Sequence, residues 1–349
     1  MKIAILTPTF NYYSGVDRVA QDRAENFSKE GHDVTVIAFE AKIKPKGYNV
    51  IRLGIPDKYS SYLARFYYRF LPFFITKEKY IKMLKGYDKV ISFLYPMDAL
   101  AYQAKKKYGA KYVAWFSGIA PGESRFARIY MEFYKRFYYH FLNKADEIIC
   151  VSNSVKNELL EDNPKIKINS INIRYLINEI DKTRFNKNVN IKYKNKINAL
   201  KEKYELKDKK VFLYVGRLAT SKRVDLLIKM FKMEKNEHPE YKLLIVGKPT
   251  FRRYFKKLLR LADEDIIFTG FVDDKDLPAY YALSDVYVTA SSHEGFNLPA
   301  VEAQACGKPV VAFDVGANRE LIKKGRLVPE GDIQGFTNAM NNYANSIVR

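Results

Sequence analysis

Cysteine, histidine and tryptophan are scarce in this chain: 349 residues carry two cysteines, four histidines and one tryptophan. Cys150 and Cys306 build neither a disulfide framework nor a cysteine zinc site, so an intracellular setting is expected. His32, His140, His238 and His293 show no metal-ligand spacing. There is no His-Glu-x-x-His, no Gly-x-Ser-x-Gly elbow, no Asp-x-Asp directly at the carboxyl end of an expected strand and no Gly-Lys-Ser/Thr phosphate loop. Metal-assisted hydrolysis, serine hydrolysis and Walker-type nucleotide chemistry are thereby unsupported. Long apolar runs are missing too. Phe70 to Ile75 is six residues and no run exceeds seven, far below the roughly 18 that span a bilayer. The opening Met1 to Pro8 is too short for a signal peptide and reads as a first strand.

What the chain does have is apolar residues (47%) and positive charge. Sixty Lys and Arg face 39 Asp and Glu, a formal net charge of +21. The surplus is spread over both halves, 29 against 17 up to residue 175 and 31 against 22 beyond it, so it is no basic tail. Such a field attracts phosphorylated small molecules, anionic membrane or nucleic acid. A lysine-rich surface with no partner is the plain alternative.

Strand and helix patterns alternate along the chain. Lys2–Leu6, Asp33–Phe39, Lys89–Phe93, Lys111–Trp115 and Glu147–Val151 are short apolar runs, as buried parallel strands should be. Helical spacing fills Gly15–Glu30, Pro96–Lys107 and Arg125–Asn143 between them. The rhythm restarts at Lys210 with strands at Val211–Val215, Lys242–Val246, Ile266–Thr269, Asp285–Thr289 and Pro309–Phe313. An α/β protein of two Rossmann-like domains facing each other across a cleft is expected. The expected boundaries are 1–177, 178–331 and a terminal helix, 332–349, that could cross back to the first domain.

Four loops fall at carboxyl ends of expected strands, where open parallel sheets bind ligands. Gly15 opens the first helix and permits close backbone approach to a phosphate. Gly216-Arg217 and Lys222 put a planar fork of donors and a compact charge within reach of paired phosphates. Glu294 and Glu302 frame the start of a helix whose free N–H groups, on Phe296, Asn297 and Leu298, suit an anion. Ser117 and Gly118 follow the strand ending at Trp115, where the serine could bond a ligand hydroxyl. Each loop alone is as readily a turn, a cap or a pair of surface cations.

Taken together these residues resemble the retaining glycosyltransferases of family 4, which have the GT-B fold. The markers run in family order over nearly the whole chain. They begin at Gly31-His-Asp-Val-Thr-Val36 and continue through Ala145 to Asn153 and Asn178-Glu-Ile-Asp181. Gly216-Arg-Leu with Lys222, Ile245-Val-Gly247 and Gly270-Phe-Val272 follow. Ser284-Asp-Val-Tyr-Val288 and Glu294-Gly-Phe then lead into Glu302 to Val311. The resemblance implies that Arg217 and Lys222 bind the donor diphosphate and stabilise the leaving charge, with Glu294 as a third catalytic-site residue on the donor sugar. It implies that Gly15, Gly216, Phe296, Asn297, Leu298 and Glu302 contact the donor, Glu302 through the ribose. Ser117 and Gly118 would meet the sugar or the acceptor. No metal and no cofactor are implied, the nucleotide-sugar being a substrate. Ser14, Asn297 and Ser117 depart from a frequent Gly, Gly and His of the family, which bears on the sugar pocket.

The expected reaction is metal-independent transfer of a sugar from a UDP- or GDP-sugar to a glycan or lipid-linked saccharide, with anomeric configuration kept. A sugar-nucleotide epimerase of the same architecture is the alternative within enzymes. A basic nucleic-acid-binding protein is the alternative outside them, although such a protein has no use for two carboxylates at its centre. No nucleic-acid partner is expected. Residues 58–90 hold ten aromatics, eight Lys and Arg and two acids. That mixture suits an anionic membrane surface, placing the protein in the cytoplasm, peripheral on the membrane face. In the helix from Arg125, residues Phe126, Ile129, Tyr130, Phe133, Phe137 and Phe141 recur at helical spacing and are expected to pack in the core.

Overall fold

The computed structural model describes residues 1–11, 15–53, 77–119, 125–167, 171–176 and 180–346, with the side chains of 125–128, 130 and 167 left aside. Two compact units share the chain, Met1–Asn178 and Glu179–Arg349.

In the first unit, β1 (Lys2–Phe10), α1 (Gly15–Lys29), β2 (Asp33–Ala41) and β3 (Asn49–Arg52) come first. Then follow α2 (Glu78–Lys82), β4 (Lys89–Phe93), α3 (Met97–Tyr108), β5 (Lys111–Phe116), α4 (Arg125–Leu142), β6 (Glu147–Cys150), α5 (Asn153–Asp162) and β7 (Asn172–Tyr175). The sheet order is β3-β2-β1-β4-β5-β6-β7. Neighbours pair in parallel, with Lys2 opposite Asp33 and Ile3 opposite Lys89. Order therefore reverses between β1 and β4, which puts the Gly15 end of α1 at a switch point. Ile3 to Leu6 are wholly buried, as a strand covered on both faces requires. The Ser152 hydroxyl starts α5 by accepting from the Val155 N–H at 3.1 Å.

The second unit contains α6 (Val189–Lys192), α7 (Lys194–Lys203), β8 (Lys210–Val215), α8 (Val224–Lys235), β9 (Tyr241–Val246), α9 (Arg252–Leu261) and β10 (Ile266–Gly270). It continues with α10 (Leu277–Leu283), β11 (Val286–Thr289), α11 (Leu298–Ala305), β12 (Val310–Phe313), α12 (Asn318–Leu321), β13 (Gly325–Val328) and α13 (Ile333–Ser346). Its parallel sheet runs β10-β9-β8-β11-β12-β13, so order reverses between β8 and β11. Side chains alternate across each strand. Phe212, Tyr214, Leu243 and Ile245 join one apolar core, while Val211, Leu213, Leu244 and Val246 join the other. Residues 186–210, rich in Lys and Asn, carry the helices α6 and α7. Val189 and, on α7, Ile197 and Leu200 fill the second core. The terminal helix α13 buries Phe336, Met340 and Ala344 in the first.

One expectation is corrected in α4. Ile129, Phe133 and Phe137 are 57%, 61% and 44% exposed, while Tyr138, Tyr139 and Leu142 are buried. The helix is apolar on two stripes, and the tyrosine-bearing one faces the core. There Tyr138 packs on Phe116, Tyr95 and Tyr134 with ring centroids 5.6 to 6.0 Å apart. Of the aromatic-basic stretch 58–90, residues 58–76 lie outside the described residues. In the remainder Ile81, Leu84 and Tyr87 are core, while Lys77, Lys79, Lys82 and Lys85 are exposed. Among the described residues no helix is long and apolar enough to cross a membrane.

Candidate active site

At the β8/β11 switch point the second unit gathers two loops. The β8 loop leaves Val215 through Gly216 and Arg217, then turns through a short 3-10 stretch, Thr220–Lys222. It is pinned from below, because the buried Tyr214 hydroxyl donates to the Arg217 carbonyl at 3.0 Å. It is pinned from the side by the Leu218 N–H on the Lys248 carbonyl at 2.9 Å. Close passage of the β9 loop needs Gly247. Its φ is +148°, and a Cβ there would lie 1.8 Å from the Gly216 carbonyl oxygen.

The β11 loop closes on the β8 loop at three points. The Ser292 backbone N–H and its hydroxyl both donate to the Ser221 carbonyl, at 3.0 and 3.1 Å. Lys222 Nζ meets Glu294 Oε2 at 2.8 Å. Glu294 is only 6% exposed. Its backbone carbonyl takes the Ala317 N–H at 2.8 Å and lies against Gly316, whose φ is +51°. The buried carboxylate and the lysine thus meet at charge-assisted hydrogen-bond distance. Residues 72 positions apart thus form one charged pair at the switch point.

Beyond Glu294 the chain enters α11. Asn297 sits in the left-handed region (φ 48°, ψ 55°) and does not cap the helix with its side chain. That side chain donates instead to Asn318 Oδ1 at 2.8 Å. The start of α11 therefore lacks a side-chain cap, an arrangement that favours an anion. Phe296 is buried and Leu298 half-buried. Glu302, one turn further on, is wholly buried and accepts the Tyr281 hydroxyl at 2.7 Å. Arg217 is exposed at the lip of the β8 loop. Gly15, exposed at the start of α1, and Ser117 and Gly118, half-buried beyond β5, belong to the first unit.

Sequence reasoning missed the tyrosines beneath these loops. Burial drives the Tyr214 hydroxyl far above its ordinary range, helped by the Glu294 charge and opposed by Arg217. Tyr287 is raised likewise by burial and by the charges of Tyr214, Glu294 and Glu302, and it donates to the Val215 carbonyl at 3.2 Å. The signal was a tyrosine inside an otherwise apolar strand, since a buried phenol needs a partner. Among the described residues no cluster of His, Cys, Asp and Glu could hold a metal ion.

His293 is the one histidine beside this site, and its Nε2 is buried without a hydrogen-bond partner. Burial lowers its pKa from 6.5; Lys222 pushes the same way and Glu294 opposes. The unfolded chain then binds this proton more readily than the folded one, so stability is lost as pH falls through about 6.5. His293→Gln is expected to flatten the fall in melting temperature between about pH 7 and pH 5.5. Equal slopes in wild type and variant would remove His293 from that account.

Two parallel doubly wound sheets, each with a switch point, define the GT-B class of α/β fold. The chain matches the family model Glycosyltransferase Family 4 over residues 13–172 and the model Glycosyl transferases group 1 over residues 196–346. It belongs to this glycosyltransferase family. A glycosyltransferase of Methanocaldococcus jannaschii is 32% identical over 181 residues, 51% of this chain and 44% of that protein. A GDP-mannose-dependent phosphatidylinositol monomannoside mannosyltransferase of Mycolicibacterium smegmatis is 31% identical over 156 residues, 40% of each chain. The alignments thus span less than half the length of these curated relatives. The crystal structure of Anabaena HepE with UDP-glucose superposes with a TM-score of 0.79 over 98% of this chain and 89% of that one, at 20% identity.

Proposed function

We propose that the chain is a retaining hexosyltransferase, moving a sugar from a UDP- or GDP-sugar to a glycan or lipid-linked saccharide without a divalent metal. The observation that carries this reading is the joined pair of loops at the β8/β11 switch point. There the Lys222–Glu294 pair, the exposed Arg217 and the uncapped start of α11 lie on neighbouring loops. In this reading Arg217, Lys222 and the N–H groups of Phe296 to Leu298 hold the donor diphosphate. They offset the charge that grows on the leaving nucleoside diphosphate, the work a metal does elsewhere. Gly216 lets the backbone approach the phosphates, Glu294 holds sugar hydroxyls, and Glu302, oriented by Tyr281, holds the ribose. Gly15, Ser117 and Gly118 are assigned to the donor phosphate, the sugar and the acceptor. The mannosyltransferase relative and the neighbour holding UDP-glucose support a nucleotide-sugar donor. Proton NMR of the product tests the reading: the donor's anomeric configuration is kept and EDTA leaves the rate unchanged. Inversion, or loss of activity on chelation, overturns it.

The protein works at the cytoplasmic face of an anionic membrane in this proposal. Its support is the exposed stripe of Ile129, Phe133 and Phe137 on α4, with the exposed Arg136 beside it. Aromatics seat among headgroups, and each cation contributes about 1 kcal/mol at an anionic surface. Sedimentation with anionic vesicles should carry the wild type down, and Phe133→Ser with Phe137→Ser should leave it in the supernatant. Wild-type protein that stays in the supernatant at low salt contradicts the placement.

A further inference from the structure

We infer that Glu294 acts as a release switch on Lys222, weakening the hold on the nucleoside diphosphate once the sugar has gone; this rests on the nucleotide-sugar reading above. The two side chains form a 2.8 Å ion pair with Glu294 almost wholly buried. The cation assigned to the diphosphate is therefore already neutralised by the carboxylate assigned to the sugar. Of the loop's two phosphate-binding cations, only Arg217 is exposed and carries no ion pair among the described residues.

The two partners differ in freedom, which sets the direction of the switch. Glu294 is fastened through its backbone carbonyl to the Ala317 N–H and against Gly316, so its backbone is fixed. Lys222 is 21% exposed on a flexible four-carbon stem. Both groups are pulled together by a charge-assisted hydrogen bond of the strong kind. A donor brings two things at once: phosphate oxygens for Lys222 and sugar hydroxyls for Glu294. Each replaces the partner that the other gives up. A bare nucleoside diphosphate brings only the first. Its capture of Lys222 strands a buried carboxylate, a costly state. The pair therefore discriminates for donor and against product, although the product carries more phosphate charge.

The consequence runs against the simple expectation that removing a site residue weakens binding. Glu294→Gln keeps the shape and removes the competing charge. Titration calorimetry with UDP and GDP, and with UDP-glucose and GDP-mannose, reads the effect. The nucleoside diphosphate that binds the wild type is expected to bind Glu294→Gln about tenfold more tightly, the scale of one charge-assisted hydrogen bond. Its sugar conjugate should gain nothing or weaken. In a Lys222→Met background, Glu294→Gln should change diphosphate affinity by less than about twofold, because the pair is already broken. Diphosphate affinity that is unchanged or lower in Glu294→Gln overturns the switch while leaving the nucleotide site standing. An equal gain in the Lys222→Met background overturns it as well, since the carboxylate would then repel phosphate directly. If neither nucleotide nor any conjugate binds the wild type, the nucleotide-sugar reading falls and the switch falls with it.

Discussion

Arg217→Ala is expected to lower turnover by about 10² to 10³, the cost of losing one preorganised donor to developing charge. Arg217 is the cleaner of the two cations to remove. It is exposed, its backbone is held by Tyr214 and Leu218 rather than by its guanidinium, and its loss leaves no buried group behind. The melting temperature should therefore stay close to wild type while steady-state kinetics collapses. Lys222→Ala should lower turnover by a similar factor, but it also strands Glu294, so thermal unfolding is measured beside the rate. Wild-type-like turnover in Arg217→Ala removes the β8 loop from the chemistry.

Gly247→Ala carries the largest expected stability effect. A methyl group at this position would lie 1.8 Å from the Gly216 carbonyl oxygen, at a φ of +148° that only glycine adopts with ease. The neighbour is backbone, and it belongs to the loop that carries Arg217, so it cannot swing aside as a side chain would. Strain and forced displacement together should cost about 4 kcal/mol, at the upper end of single-residue effects. Urea unfolding should show a markedly lower midpoint, and donor binding should fail with it. A midpoint within about 0.5 kcal/mol of wild type would mean that the two loops do not pass this closely.

The βα rhythm was legible because strands buried on both faces are written as unbroken apolar runs. Lys89–Phe93 falls where the sequence places it, and Val211–Val215 does so to within one residue. The edge and near-edge pieces were not legible. β3 (Asn49–Arg52) and β7 (Asn172–Tyr175) are half open to solvent and read Asn-Val-Ile-Arg and Asn-Ile-Arg-Tyr, which no periodicity separates from loop. α7 hid behind its lysines, since a short amphipathic helix needs only Ile197 and Leu200 to enter the core. α4 misled in the opposite sense: two apolar stripes compete on one helix, and spacing alone cannot say which one the sheet covers. In the site, strand ends marked the loops that the structure brings together at the β8/β11 switch point. The 2.8 Å contact of Lys222 with Glu294 was beyond reach, because it depends on β8 and β11 lying side by side.

The most direct test of the account is thermal unfolding of wild type and Arg217→Ala against UDP-, GDP- and ADP-sugars. A ligand bound to the folded state raises the melting temperature by mass action, by about 2.7 kcal/mol at a hundredfold excess over Kd. One nucleotide-sugar is expected to raise the wild-type melting temperature, by a shift that shrinks or vanishes in Arg217→Ala. A flat response to every nucleotide-sugar, or an undiminished shift in the variant, would contradict a donor site at the β8/β11 switch point.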